Sequence, residues 1–273
     1  MQQKPEKPVK SVKSAKPAKP FKNIIAVANQ KGGVGKTTSV INLAAALSKR
    51  RKKILVVDLD PQGNATTGCG IEKNQLDHSI YDVLINDVNI DECIITSNSC
   101  GFDLLPANRN LAGAEIELVE AENREYKLKN ALAKISAQYD LIIIDCPPSL
   151  SLLTINGLAA ANFLLVPIQC EYYALEGLSD LLNTVERLKI SINPDIEVLG
   201  LVRTMFDGRN NLANQVSAEL VKHFPKKLLS TCIPRNIRLA EAPSFGISAV
   251  KLDQQALGSR AYIAMAKEIV RLL

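Results

Sequence analysis

The chain has 273 residues, of which 47% are hydrophobic and 4% aromatic, with no Trp. This composition is typical of a globular protein and argues against recognition of nucleic acid by base stacking. The formal net charge of +5 comes from the first 22 residues, which hold seven Lys and one Glu, whereas the rest of the chain has 26 basic and 27 acidic residues. Contact between this body and a polyanion therefore needs a local basic patch.

Cysteine spacing and hydropathy predict a cytoplasmic protein with reduced thiols. The six cysteines form no Cys-x-x-Cys pair, which excludes zinc-ribbon and thioredoxin-type sites. The first residues lack the apolar core of a signal peptide, and no run reaches the roughly 18 apolar residues that cross a bilayer. We therefore expect no membrane partner.

Residues 1–22 carry Lys at every third position from residue 4 onward, together with four Pro. Prolines and dense like charge predict a disordered tail. A polyproline II chain has three residues per turn, so all seven lysines would line one edge in that conformation. Two interpretations stay open: a flexible arm that adds salt-dependent attraction to nucleic acid, and a solvated leader without a role.

From residue 23 onward, buried β-rich runs alternate with patterns of helical period. Strands are predicted at 23–29, 52–60, 140–148, 162–168 and 196–206. Helices are predicted at 37–50, 79–86, 111–136, 151–161, 171–190, 210–224 and 257–273. This alternation predicts an α/β fold with a mostly parallel twisted sheet covered by helices on both faces. Ligands of such sheets bind beyond the carboxyl ends of the strands.

The stretch "KGGVGKTT" follows the first strand and precedes the first helix, as a phosphate-binding loop does. Gly32, Gly33 and Gly35 let the backbone curl so that its N–H groups face phosphate oxygens. The N-terminus of the following helix adds its positive end. Lys36 is predicted to reach the β- and γ-phosphates, and Thr37 to offer its hydroxyl to Mg²⁺.

This loop departs from the usual pattern G-x-x-x-x-G-K-[ST] in two ways. Gln30 stands where the first Gly belongs, and Lys31 adds a second lysine, although one lysine is enough to hold the phosphates. The predicted nucleotide-binding residues of the loop are Lys31, Gly32, Gly33, Val34, Gly35, Lys36, Thr37 and Thr38.

Three aspartates fall at strand ends that should lie beside this loop. Asp58 and Asp60 end the second strand and are two residues apart, so they point to the same side. Asp145 ends the apolar run "LIIID" and is predicted to hold a magnesium-bound water, with a helix cap as the alternative. Asp58 is predicted to support either Mg²⁺ or the loop.

Several segments together resemble one family of P-loop NTPases, the ParA/MinD ATPases with their deviant Walker A motif. Besides "KGGVGKTT", the segments "VVDLDPQGNATTGCGI", "YDLIIIDCPPSLSLLTINGLAAA", "VPIQCEYYALEGLSDLL" and "IPRNIRLAEAPSFG" are similar to those of ParA/Soj chromosome-partitioning proteins. The likeness begins near residue 23 and reaches the end of the chain. It implies one ATPase domain over residues 23–273.

The resemblance implies roles for the catalytic residues Lys31, Lys36 and Asp60. Lys31 would cross the interface of an ATP-bound sandwich dimer and contact the phosphates held by the other subunit. A cation placed there can stabilise the charge that develops during phosphoryl transfer. Asp60 would orient the attacking water. Pro234 and Asn236, in "IPRN", would flank the adenine.

The resemblance also implies partners. Arg209 and Arg238 match positions where Soj-like proteins carry DNA-binding arginines, although each could instead be a solvated or ion-paired side chain. Lys222, Lys226, Lys227 and Lys251 are weaker candidates.

The implied function is slow, switch-type ATP hydrolysis that drives chromosome or plasmid segregation. The ATP-bound homodimer would bind double-stranded DNA without sequence preference, and a ParB-like protein would stimulate hydrolysis. The protein would then be cytoplasmic and nucleoid-associated, with ATP and Mg²⁺ as cofactors. The alternative is a MinD-like membrane-positioning ATPase, which needs an amphipathic C-terminal helix. The segment "LGSRAYIAMAKEIVRLL" instead predicts a docked core helix, through Tyr262, Ile263, Ile269, Val270 and Leu273.

Overall fold

A computed structural model describes residues 23–273, so the predictions for the Lys-rich tail lie outside the described residues. Within that range eight strands form one sheet in the order β3-β4-β2-β5-β1-β6-β7-β8. All neighbouring strands are parallel except β3, which runs antiparallel to β4. The strands are β1 (Ile24–Val27), β2 (Ile54–Asp58), β3 (Ile95–Ser97), β4 (Phe102–Leu105), β5 (Leu141–Asp145), β6 (Phe163–Gln169), β7 (Glu197–Phe206) and β8 (Leu228–Pro234).

Helices cover both faces of this sheet, as the sequence predicts. Alternate residues of the central strands enter two separate apolar clusters, so Ala26 lies in one and Val27 in the other. The helices are α1 (Lys36–Ser48), α2 (Asn64–Gly68), α3 (Ile80–Ile85), α4 (Ile90–Cys93), α5 (Leu111–Glu117), α6 (Lys127–Ala133), α7 (Leu152–Ala160), α8 (Ala174–Ser191), α9 (Asn211–His223), α10 (Ile237–Glu241), α11 (Ala249–Leu252) and α12 (Leu257–Leu272). Helices α1 and α12 pack on one face, and α7, α8 and α9 on the other.

The single helix predicted at 111–136 is wrong, because this segment is divided into α5, short 3-10 turns and α6. Asn123 adopts a positive φ of 52°, which interrupts the helical path. The side chain of Asn156 on α7 then stabilises the break, accepting from the Leu128 N–H at 3.1 Å and donating to the Arg124 carbonyl at 2.7 Å. A distant residue therefore decides where α6 begins.

Helix α12 docks on the sheet as expected. Tyr262 and Ile269 are buried and Ile263 is half-buried, but Val270 and Leu273 are exposed, so the docked stripe is narrower than predicted. No helix in the described range combines the length and the apolar character that crossing a bilayer requires.

Candidate nucleotide-binding site

The loop between β1 and α1 is a tight turn anchored to two other strands. Gly33 and Gly35 have φ values of 74° and 83°, a left-handed conformation that other residues rarely adopt. The Thr204 hydroxyl donates to the Val34 carbonyl at 2.8 Å, and the Asn29 amide donates to the Pro167 carbonyl at 2.8 Å. These bonds connect the loop to β7 and β6, so it presents the first N–H groups of α1 at the carboxyl edge of the sheet.

Lys36 is the first residue of α1 and is largely buried beneath the loop. Its ammonium donates to the Lys31 carbonyl at 3.2 Å. Burial lowers its pKa, while the charges of Asp145 and Asp60 oppose that change. A buried cation beside a helix N-terminus is suited to hold polyphosphate.

Lys31 is directed away from the loop of its own chain. Its ammonium forms an ion pair with the Glu171 carboxylate just beyond β6, and both side chains are nearly half exposed. Its backbone N–H donates to the Asn29 side chain at 2.9 Å. The two lysines of the loop therefore occupy different surroundings, since one is enclosed and the other is accessible from outside the chain.

No neighbouring atom among residues 23–273 requires glycine at position 32. A Cβ added at Gly32 or at Gly33 would meet no atom of residues 23–273 within 4 Å. Gly33 needs its positive φ, but Gly32 does not. A requirement for a small residue at position 32 would have to come from a ligand or another chain.

Asp58 and Asp145 are register neighbours at the ends of β2 and β5. Asp58 is fully buried, and burial raises its pKa to about 6. One of its oxygens accepts from the backbone N–H and the hydroxyl of Thr66, at 2.8 and 2.7 Å, and the other accepts from the Asp60 N–H at 3.2 Å. Its contacts therefore shape the segment that carries Asp60 and leads into α2. Whether it also supports Mg²⁺ stays a prediction.

Asp145 is buried, and neither of its carboxylate oxygens has a hydrogen-bond partner among the described residues. Burial, followed by the charge of Asp58, raises its pKa well above the usual range. The nearby Thr37 hydroxyl opposes that rise, although its geometry does not form a hydrogen bond with either oxygen. Because buried carboxylates are normally partnered, this one fits a site for a cation or its bound water.

Asp60 lies just beyond β2 and is only 8% exposed. One carboxylate oxygen accepts from the Gln62 N–H at 2.9 Å. This bond orients the side chain at the same edge of the sheet as Asp145 and the loop.

A pocket of about 170 Å³ opens beside Gly35 and Thr38 and contains both residues predicted to flank a base, Pro234 and Asn236. The Asn236 side-chain oxygen is buried and has no hydrogen-bond partner among the described residues. The other wall of the pocket was not predicted from the sequence; it is formed by Thr204, Met205, Leu239 and Tyr262. Thr204 and Met205 lie near the carboxyl end of β7, so the strand-end rule could have found them.

Arg209 and Arg238 follow β7 and β8, whose ends are register neighbours. Both therefore lie at the same edge of the sheet. The Arg209 side chain is 92% exposed and makes two bonds to Asp207, at 2.9 and 2.7 Å. Arg238 is half-exposed and contacts Glu241 at 3.0 Å and Asp253 at 3.7 Å. Each arginine is thus accessible and also ion-paired within the chain.

Comparison with known proteins identifies the family. A family model described as an AAA domain matches residues 22–198. The sporulation initiation inhibitor protein Soj of Bacillus subtilis (strain 168) is 50% identical over 90% of this chain and 97% of that protein. The chromosome partitioning protein ParA of Myxococcus xanthus (strain DK1622) is 48% identical over 91% of this chain and 88% of that protein.

The chain belongs to the ParA/Soj family of chromosome-partitioning ATPases. One solved structure shares the fold of this chain, with a TM-score of 0.81 and 38% sequence identity. The match covers 92% of this chain and 95% of the solved protein. It is a Mycobacterium smegmatis protein named cobyrinic acid a,c-diamide synthase, and it holds ADP and magnesium. The mostly parallel P-loop fold predicted from the sequence is confirmed.

Proposed function

We propose that this chain is a switch ATPase that dimerises face to face when it binds ATP, binds DNA in that state, and segregates chromosomes or plasmids. The observation that carries the proposal is the separation of the two loop lysines. Lys36 is enclosed beneath its own loop, whereas Lys31 reaches outward to Glu171. One chain thus holds a phosphate site together with a second cation aimed away from it.

ATP would lie along the carboxyl edge of the sheet. The N-terminus of α1 and Lys36 would bind its phosphates, and the 170 Å³ pocket would take the adenine between Pro234 and Asn236. The unpartnered Asn236 oxygen would accept a hydrogen bond from an exocyclic amine such as that of adenine. The similar solved structure that holds ADP supports an adenine nucleotide as the ligand.

Magnesium fits the buried carboxylate of Asp145, which has no hydrogen-bond partner among the described residues. Thr37 would hold the ion directly, and Asp145 would hold it through a bound water. When bound, Mg²⁺ neutralises charge on the phosphates and on the leaving group. Asp60, oriented by its bond to the Gln62 N–H, would position the attacking water and accept its proton.

Dimerisation would complete the site, because Lys31 of each subunit would leave Glu171 and contact the phosphates of its partner. The pair that must break is exposed, and exposed ion pairs contribute only about 0.2 to 1 kcal/mol. The open space at Gly32 supports close approach of a second backbone there. Nucleotide state and dimerisation would then depend on each other, as a switch requires.

The ATP dimer would bind double-stranded DNA through Arg209 and Arg238 of both subunits. DNA phosphates would replace Asp207 and Glu241 as partners of these arginines, which gives contacts without sequence preference. The body carries almost no net charge, so such a local patch is needed. A ParB-like protein would accelerate hydrolysis and release, and the dimer would reside on the nucleoid in the cytoplasm. Docking of α12 through Tyr262 and Ile269 disfavours the membrane-positioning alternative.

A mobility-shift experiment tests this proposal. An Asp60→Ala variant, which should bind ATP without turning it over, is mixed with arbitrary duplex DNA in the presence of ATP, ADP or no nucleotide. We expect a shift with ATP alone. Failure to bind DNA, together with ATP-dependent attachment to anionic liposomes, would contradict the partitioning function and favour membrane positioning.

A further inference from the structure

Cys69 and Cys100 lie in two segments that pack against each other beside the β3–β4 edge of the sheet. Cys69 caps the end of α2, and Cys100 lies in the turn of the β3–β4 hairpin. The Ser97 and Ser99 hydroxyls both donate to the Cys69 carbonyl, at 2.9 and 2.7 Å. The Cys100 sulfur lies 4.0 Å from the carbonyl of Gly68, the residue that precedes Cys69. The hairpin turn therefore packs against the end of α2, with the Cys100 sulfur beside the peptide group that joins Gly68 to Cys69.

The surroundings of Cys100 favour its thiolate. Interaction with the Cys69 thiol lowers the Cys100 pKa to about 7 against the effect of burial. The same contact raises the pKa of Cys69. Burial raises the pKa of Cys93, Cys146, Cys170 and Cys232. Among the cysteines of residues 23–273, the pKa is lowered at Cys100 alone.

A cavity of about 260 Å³ leads to Cys100 from the surface. Two lysines line it. Lys49 donates to the Gln254 side chain at 3.0 Å, and Lys251 donates to the Asn98 carbonyl in the hairpin turn at 3.0 Å. The Ser48 hydroxyl, also in the lining, is buried without a hydrogen-bond partner among residues 23–273. Most of the lining is apolar, but Lys49, Lys251 and Ser48 place polar groups in it, and the cavity is large enough for several water-sized molecules, so a small hydroperoxide can enter it.

We propose that Cys100 and Cys69 are a peroxide-sensitive thiol pair that closes to an intramolecular disulfide. The Cys100 thiolate attacks one oxygen of a hydroperoxide, the O–O bond breaks, and the second oxygen leaves with a proton as water or an alcohol. Cys100 is then a sulfenic acid. The Cys69 sulfur attacks it, the S–O bond breaks, and the hydroxyl leaves as water with the Cys69 proton. The two thiols lose two electrons and the hydroperoxide gains them.

The disulfide would attach the end of α2 to the β3–β4 hairpin. Helix α2 also contains Thr66, whose bonds to Asp58 shape the segment that carries Asp60. Oxidation would therefore restrain the part of the chain that borders the phosphate site. This consequence for turnover rests on the proposed function, whereas disulfide formation does not.

The test treats the reduced full-length chain with hydrogen peroxide, blocks the remaining thiols with N-ethylmaleimide, and maps the peptides by mass spectrometry. We expect a linked Cys69–Cys100 peptide and a mass lower by two hydrogens, while Cys232, which is partly exposed, still carries the blocking group. Cys100 should react roughly tenfold faster than Cys232, because thiolates are the reactive form. Oxidation of Cys232 before Cys100, or of Cys100 with Cys69 still reduced, would overturn the proposal.

Two variants sharpen this result. In Cys69→Ser the Cys100 sulfenic acid has no resolving thiol, so dimedone should trap it; absence of the adduct in a folded variant would contradict the mechanism. Cys232→Ser is the matched control and should form the same linked peptide. If Cys69→Ser fails to fold, the peptide map of the unmodified chain still shows whether Cys69 and Cys100 form a disulfide. The readout does not depend on ATP hydrolysis, so its failure is distinct from failure of the proposed function.

Discussion

Replacing Thr66 by Val should destabilise the fold, because its hydroxyl makes two buried hydrogen bonds that no neighbour can replace. It donates to Asp58 at 2.7 Å and accepts from the Ala107 N–H at 2.9 Å, and the residue is fully buried. Valine has nearly the same shape, so the change removes the bonds and leaves little cavity.

The magnitude follows from those two bonds. Losing a hydrogen bond to a charged acceptor costs about 1.5 to 3 kcal/mol, and leaving a buried N–H unpaired costs about 1 to 3 kcal/mol. The added methyl group recovers about 1 kcal/mol through burial. The net loss in the free energy of unfolding should be about 1.5 to 5 kcal/mol.

Urea unfolding at pH 8, where Asp58 with its pKa of about 6 is ionised, measures this loss. Thr66→Ser keeps the hydroxyl and should lose less than Thr66→Val. Thr67→Val, on the exposed side of the same helix, should stay within about 0.5 kcal/mol of the unmodified chain. A Thr66→Val variant as stable as Thr67→Val would refute the reasoning that these two bonds hold the Asp60 segment.

Three further predictions concern the ligands. Arg209→Ala should weaken ATP-dependent DNA binding and lower the salt slope by about two per dimer, with ATP affinity unchanged; equal loss of both affinities, measured by titration, would contradict a direct DNA contact. Asp145→Asn removes the unpartnered carboxylate and should raise the Mg²⁺ concentration needed for ATP binding roughly 10- to 100-fold; an unchanged Mg²⁺ dependence in calorimetry would count against its role. Asn236→Leu removes the acceptor in the base pocket and should weaken ATP binding by about 1 kcal/mol, leaving binding of inorganic triphosphate as it was; an equal effect on triphosphate would show that the residue acts elsewhere.

The sequence predicts the centre of the fold well and its edges poorly. β2 and β5 read as strands because both faces are buried and their sequences are continuous apolar runs ending in aspartates. Three strands escaped prediction. β3 and β8 lie at the sheet edges, and β4, between β3 and β2, has only four residues. All three are short or mix polar with apolar residues, and they gain stability from pairing that the sequence does not reveal. The break before α6 escaped for a similar reason, since Asn156, 28 residues after Leu128, caps it.

The residues of the candidate site also differ in whether local sequence patterns reveal them. The loop lysines and Asp145 are found from local patterns because the chemistry requires these residue types beside a strand end. Thr66 and the ion pair from Lys31 to Glu171 could not be found that way, because they join segments whose proximity depends on the folded sheet. The contact between Cys69 and Cys100 has the same origin, since their spacing in the chain matches no known motif.

The central claim, that Lys31 acts on the nucleotide of the opposite subunit, can be tested by mixing two inactive variants. Lys31→Ala keeps Asp60 and Lys36 but offers no cation to its partner, whereas Asp60→Ala binds ATP and keeps Lys31. In a mixed dimer, the Lys31→Ala site has its own Asp60 and receives Lys31 from the other chain. We predict that each variant alone is inactive and that the mixture regains up to about a quarter of the unmodified ATPase rate, since half of the dimers are mixed and each has one complete site. No recovery, with dimers of both variants present, would contradict action across the interface.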